Sequence, residues 1–179
     1  MERVVILRTS RLVVTTWDAE DLDDLHRLHS DPVTMTFIGG RVETRDESSA
    51  RLTQYLTEQD TRGWTKWRVQ TEDGRMVGRG GFGDYAGDRE LGYTIDRQQC
   101  GRGLATELAS ALVAWHVAHP ATAGHDGDRP MQLWGYADVD NVASVRVMTK
   151  AGLRFVETRE HAGRPHTFFR LDDPPTSSD

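Results

Sequence analysis

The segment Glu90-Leu91-Gly92-Tyr93-Thr94-Ile95, followed after four residues by Cys100-Gly101-Arg102-Gly103-Leu104-Ala105-Thr106-Glu107, changes character at its middle. Its first part reads as a strand. From Leu104 the apolar positions Leu104, Leu108, Ala111, Leu112 and Trp115 recur at helical spacing until His119-Pro120 stops them. Strand, glycine loop and helix in that order form a device for holding an anion. The first amides of a helix have no intrahelical acceptor, the helix dipole favours negative charge there, and Gly101 and Gly103 let a ligand approach the backbone. An isolated Gly-x-Gly is also what an ordinary turn contains, so context has to choose. No Gly-Lys-Ser/Thr follows, which excludes a P-loop. The position of the loop, late in the chain and after an antiparallel run, argues against a dinucleotide-binding fold.

Working outward, residues 64–70 and 76–82 show strand character around Glu72-Asp73-Gly74-Arg75, a hairpin turn. Toward the N-terminus, residues 12–16 predict a strand. A helix to about Ser30 follows, with Asp18 as cap and Leu22, Leu25, His26 and Leu28 at helical spacing. Asp31-Pro32 breaks it and Gly39-Gly40 turns the chain. Thr44 then starts a second helix whose apolar face carries Leu52, Tyr55 and Leu56. Beyond the central helix, residues 121–130 predict an exposed loop and residues 131–136 a strand. Asp140 or Asn141 caps a helix carrying Val142, Val145, Val147 and Met148 and closed by Gly152. A last hairpin is expected from residues 155–158 and 167–171, turning at Gly163-Arg164-Pro165.

A chain of 179 residues fits one domain, expected over residues 1–172, with the polar residues 173–179 as a disordered tail. No apolar run nears the roughly 20 residues that a bilayer requires, and the N-terminus lacks the pattern of a secretory signal, so no membrane association and a cytoplasmic location are expected. The single cysteine, Cys100, excludes an intramolecular disulfide and multi-cysteine metal sites. A formal net charge of -6 argues against a broad nucleic-acid surface and mildly favours cationic partners such as amines.

The Glu90–Ile95 and Cys100–Glu107 pieces resemble the acetyl-CoA motif of GNAT acetyltransferases, most of all the branch of ribosomal-protein N-terminal acetyltransferases. Further pieces agree in order: Ser30-Asp31-Pro32 with Met35, Phe37 and Gly39; Gly78 to Phe82; Asp140-Asn141-Val142-Ala143-Ser144; and Lys150-Ala151-Gly152-Leu153-Arg154-Phe155. The resemblance spans about residues 10–171. It implies an α/β GNAT fold, with a mixed, mostly antiparallel sheet that splays where the cofactor lies, and two N-terminal helices shaping an acceptor cleft. The implied activity is acetyl-CoA-dependent N-acetyl transfer to a primary amine. A non-catalytic acyl-CoA sensor or interaction domain is the alternative, and a homodimer is compatible with fold relatives.

The resemblance also assigns residues. The amides of Gly101, Arg102, Gly103, Leu104, Ala105 and Thr106 hold the pyrophosphate. Tyr93 to Ile95 line the pantetheine and acyl group, with one of their amides facing the carbonyl oxygen. Asn141 caps its helix or bonds the pantetheine arm. Cys100 departs from the family pattern, where Arg, Gln or Trp is usual, leaving Arg102 to supply charge. Transfer to an amine requires a neutral nucleophile and a proton for the departing thiolate. Glu90 is the candidate base, acting through a water, against a solvated or ion-paired strand glutamate. Ser144 is the candidate proton donor, against a serine capping its own helix. Tyr93 and Tyr136 rank behind it.

His26-x-x-His29 and His116-x-x-His119 have metal-ligand spacing without a third ligand nearby, so no metal is expected. Trp17, Phe37, Trp64 and Trp67 are core or cleft walls. Cys100, beside Arg102 and a helix N-terminus, is expected to have a lowered thiol pKa and to alkylate readily unless it is buried.

Overall fold

A computed structural model describes residues 3–123 and 129–172. Eight strands form one sheet: β1 (Val5–Arg8), β2 (Val13–Thr15), β3 (Lys66–Gln70), β4 (Met76–Tyr85), β5 (Asp88–Ile95), β8 (Leu133–Asp138), β9 (Arg154–His161) and β10 (Arg164–Arg170). Their order across it is β1-β2-β3-β4-β5-β8-β10-β9. Every neighbouring pair is antiparallel except β5 and β8. The fold is therefore the mixed, mostly antiparallel α/β arrangement that the sequence implies.

Period-two patterning gives the sheet two packed faces. Trp67, Phe82 and Leu91 belong to the larger core with Leu104, Leu108 and Leu112 of α3 (Leu104–Ala118) and Met148 of α4 (Val142–Lys150). A second core joins Leu25 and Leu28 of α1 (Leu22–His29) to Leu52 and Tyr55 of α2 (Arg45–Arg62), with Trp17 and Met76. Thr44 starts α2 as expected, through a capping box with Glu47, and Gly63 ends it in the left-handed region at φ 72°. Asp18 caps a short 3-10 turn, Ala19–Asp21, that leads into α1.

Three local expectations are corrected. Residues 5–8 form β1, which the sequence reading did not separate from the irregular N-terminus, because a four-residue strand of Val, Ile, Leu and Arg carries no alternation. The ends of the expected 121–130 loop pair as the short ladder β6 (Thr122–Ala123) with β7 (Arg129–Pro130); residues 124–128 lie outside the described residues, as does the tail at 173–179. The last hairpin turns at Ala162-Gly163, both at positive φ, so Arg164 and Pro165 already pair with His161 and Glu160.

β5 and β8 decide where a ligand can lie. Their parallel pairing consists of Arg89 with Leu133 and Glu90 with Trp134 and goes no further. Asp88 clamps this closed end, accepting hydrogen bonds from Arg129 Nη1 at 2.7 Å, Gln132 N at 2.9 Å and Trp134 Nε1 at 3.3 Å. Beyond Glu90 the strands separate, and residues 91–95 keep β4 as their only strand neighbour among the described residues.

Candidate active site

The wedge between β5 and β8 encloses a cavity of about 300 Å³ whose lining includes Glu90, Gly92, Tyr93, Thr94, Tyr136, Asn141 and Ser144. It continues along Thr94, Ile95, Cys100 and Ala105 into a narrower channel of about 170 Å³, bounded on the far side by Ala143, Ser144 and Val147. One face of β5 and the first turn of α4 thus make the two walls.

Glu90 sits at the apex of the wedge, on the last residue pair that β5 shares with β8. Its residue is 6% exposed, and its Oε2 lies 2.8 Å from Lys66 Nζ. Gly92 leaves the space that the Lys66 side chain occupies on its way to Glu90, and a Cβ there would press on Lys66 Cε and Nζ. Lys66 was not singled out from the sequence. A lysine in a strand reads as solvent-facing, and only the register of β3 on β4 and of β4 on β5, which lines up Lys66, Gly81 and Gly92, brings it over Glu90.

From β5 Tyr93 Oη reaches across to α4, where it lies 2.8 Å from Ser144 Oγ and donates to Ser144 O at 3.2 Å. Burial pushes the Tyr93 phenol up to about 12, and the charge of Glu90 acts in the same sense. The phenol therefore keeps its proton at neutral pH. Tyr136 is likewise pushed up to about 12 by burial, with Glu90 and Tyr85 adding to it. Asn141 caps α4 by accepting from Ser144 N at 3.1 Å, which fixes the turn that presents Ser144. Ser144 is not spent on capping its own backbone.

Gly101 and Gly103 both lie in the left-handed region, at φ 77° and 78°, and no atom beyond their chain neighbours stands within 4 Å of a Cβ built on Gly101. Backbone conformation demands glycine here and open space lies before the loop. Leu104, Ala105 and Thr106 form the first turn of α3, with their amides unclaimed by side-chain caps. Arg102 stays exposed and reaches Gln99. A second cation, Arg11, was missed by sequence reading: Glu107 holds it at 2.7 Å and it donates to Arg102 O at 2.8 Å, which ties the β1–β2 turn to the loop.

An elongated ligand ending in phosphates fits this set. The open edge of β5 offers main-chain partners, the channel runs past the hydrogen-bonded Tyr93 and Ser144, and the loop with Arg11 and Arg102 receives negative charge. Cys100 corrects the expectation of an activated thiol. The residue is exposed, but its Sγ rests 3.8 Å from Ile95 O and 3.7 Å from Asp96 O. Partial burial and then the Asp96 charge push the thiol pKa up rather than down. Cys100 ends the short 3-10 turn Arg97–Gln99, so it stands ahead of α3 and not in its first turn.

On the other side of Glu90, a cleft of about 420 Å³ opens between α2 and β3–β4. The cleft and the wedge cavity share Ile38, Lys66, Arg79, Glu90 and Tyr136. A molecule crossing from one to the other passes these side chains. Phe37, 41% exposed, lines the wedge, whereas Trp17, Trp64 and Trp67 are buried in the cores.

A family model described as an acetyltransferase (GNAT) domain matches residues 11–154. Among solved structures, an acetyltransferase from Agrobacterium tumefaciens str. C58 is 21% identical, with 97% of this chain and 95% of that one covered and a TM-score of 0.74. The Salmonella typhimurium acetyltransferase that modifies the N-terminal serine of ribosomal protein L7/L12 is 16% identical, with 95% and 100% covered and a TM-score of 0.76. The microcin C7 self-immunity acetyltransferase, solved with acetyl-CoA and AMP, is 13% identical, with 90% and 92% covered and a TM-score of 0.71. Among curated proteins none matches the sequence. The solved structures share the fold. The family model goes further: this chain belongs to the GNAT acetyltransferases. It is an acetyltransferase that works with acetyl-CoA.

Proposed function

We propose that the protein transfers an acetyl group to a primary amine by direct attack of the amine on the thioester, with Glu90 and the Tyr93–Ser144 pair handling protons on opposite sides of the reaction. The observation that carries this reading is that Glu90, Tyr93 and Ser144 all line one cavity of about 300 Å³, at the point where β5 and β8 part. Bound acetyl-CoA supplies the activated acetyl thioester. Glu90, the carboxylate shared by the cavity and the acceptor cleft, accepts the amine proton through a bridging water. Lys66 fixes the direction of that carboxylate. Tyr93 and Ser144 hold hydroxyl protons on the channel wall, where the leaving sulfur takes one up. The amides of Gly101 to Thr106 bind the pyrophosphate, Ile95 and Tyr93 border the pantetheine arm, and Asn141 sets the angle of Ser144.

The acceptor is an α-amine of a protein N-terminus or of a small molecule. An α-amine, with a pKa of about 7.7 to 8.0, needs far less help from a base than a lysine side chain near 10.4. The solved relative that modifies an N-terminal serine is consistent with this choice. Glu90→Gln is expected to lower kcat by about 100-fold to 10,000-fold at neutral pH while acetyl-CoA affinity holds. An acceptor screen following thiol release from acetyl-CoA, with mass spectrometry of the product, measures it. Cofactor binding without turnover of any amine would instead support a non-catalytic acyl-CoA sensor.

A further inference from the structure

Four basic side chains line the acceptor cleft: Arg51, Arg62, Lys66 and Arg79. Arg51 is engaged with Glu43 at 2.6 Å, Arg62 with Asp84 at 3.7 Å and Lys66 with Glu90 at 2.8 Å. Arg79 is only 5% exposed and has no carboxylate partner among the described residues. Its Nε donates to His29 Nε2 at 2.9 Å, which fixes the histidine as the Nδ1–H tautomer, and that Nδ1–H points at Glu43 Oε2 at 2.9 Å. Glu43 is itself committed to Arg51 through two hydrogen bonds, of 3.0 and 2.6 Å. The Glu43–His29 relay therefore orients the guanidinium by its Nε without cancelling its charge. Neither terminal nitrogen has a hydrogen-bond partner among the described residues, and neither is sealed from the cavities.

Arg89 is the instructive control. It too is buried without a carboxylate partner among the described residues, but the rings of Trp64, Phe82 and Trp115 surround its guanidinium at 5.7, 5.5 and 5.1 Å, and it borders neither cavity. Arg79 has one ring, Tyr55, at 6.0 Å, and lies on the wall common to both cavities, together with Glu90. A buried cation whose planar donor fork faces an open cavity is built for a carboxylate.

We infer that Arg79, held by His29 and Glu43, recognises a carboxylate carried by the acceptor a few bonds from its amine, so that the enzyme selects amino-acid-like amines. The inference rests on the amine-acetyltransferase reading and deepens it. The carboxylate has two possible sources: the α-carboxylate of a free amino acid, or the side chain of an acidic residue at a peptide N-terminus.

The test compares acceptors matched except for charge: a free amino acid with its primary amide, and a peptide beginning with Asp with one beginning with Asn. The wild-type enzyme is expected to favour the carboxylate member of at least one pair by about tenfold to a hundredfold in kcat/KM. Which pair responds tells the source. Arg79→Gln is expected to collapse the ratio mainly through KM, and Arg79→Lys to retain part of it. A readout without turnover comes from thermal shift with the product pair, an N-acetyl amino acid against its amide: only the carboxylate should stabilise the protein, and only when Arg79 is present. Equal treatment of charged and neutral members in both assays overturns the inference. So does an Arg79→Gln variant whose titrated acetyl-CoA Kd rises while its acceptor ratio holds, since Arg79 would then serve the cofactor. Turnover of neutral amines without preference leaves the amine-acetyltransferase reading standing and removes the inference alone. Carboxylate-selective thermal shift without turnover removes only that reading.

Discussion

Thr15, Arg68, Arg79 and Thr94 form one cross-strand row over β2, β3, β4 and β5, all on the face covered by α1 and α2. The row has a closed half and an open half. Arg68 and Arg79 stand directly opposite each other, an arrangement that costs energy for like charges unless each is drawn away. They are drawn to opposite ends of α1. At its N-terminal end Arg68 meets Asp24 at 2.9 Å and Asp21 at 3.3 Å, and Asp21 also takes Arg3 at 2.6 Å. At its C-terminal end Arg79 meets a neutral histidine. Exposure does not separate the two residues, at 4% and 5%. Neutralisation does: one arginine is paired within the scaffold, and the other keeps an unpaired charge on the wall of the cleft between α2 and β3–β4.

The largest expected effect breaks the closed half. Arg68→Met takes the buried partner from two carboxylates, leaving Asp21 to Arg3 and the partly exposed Asp24 to Arg27, and is expected to cost about 2 to 3 kcal/mol in urea denaturation. Arg79→Met takes a partner from none and loses one hydrogen bond to His29, for about 1 kcal/mol. Equal losses for the two variants would make Arg79 a structural charge and end the contrast.

A smaller effect comes from pH. Burial first, and then the Arg79 charge, hold His29 at about 4, below its ordinary 6.5. Between those values the unfolded chain binds a proton that the folded chain refuses. Stability is therefore complete above about pH 6.5 and falls as the pH drops toward 4, by roughly 3 kcal/mol for this group. His116, at about 4 for the same reasons beside Arg89, contributes in the same window. His29→Gln retains an acceptor for Arg79 and should flatten the acidic limb of urea midpoints measured between pH 7.5 and 4.5. An unaltered slope would show that His29 is already protonated, and the open half would then hold two adjacent cations.

The sequence showed the frame better than the charges in it. The glycine loop, the Asp73-Gly74 hairpin and the helix from Leu104 were legible because each depends on local backbone chemistry or on period. Glu90 and Ser144 were found only through the family resemblance, and the structure brings both to one cavity. Lys66, Arg79 and Arg11 were missed for one physical reason. Whether a cation is paired, and with what, depends on strand register and on helices that pack over the strand, and neither is written in the residue's own neighbourhood. His29 was visible only as half of a metal-like spacing with His26, yet it faces Arg79 and Glu43. Cys100 failed differently: its place before Gly101 suggested a helix terminus, but the preceding 3-10 turn directs its thiol at the carbonyls of Ile95 and Asp96.

The smallest effect concerns the two ends of the row. Thr15 Oγ1 and Thr94 Oγ1 are both buried without a hydrogen-bond partner among the described residues. Valine has the same shape as threonine and lacks the hydroxyl, so each substitution removes a buried polar group that has nothing to lose. Thr15→Val and Thr94→Val are each expected to leave stability unchanged or to raise it by up to about 1 kcal/mol. Thr94 borders both the wedge cavity and the channel, whereas Thr15 borders neither, but the Thr94 hydroxyl itself is buried away from both. Neither substitution is therefore expected to change the acetyl-CoA Kd by more than about twofold in calorimetric titration. Identical affinities for both variants would leave Arg79 as the single ligand-facing member of the row. A rise for Thr15→Val alone would contradict the division of the row into a closed and an open half.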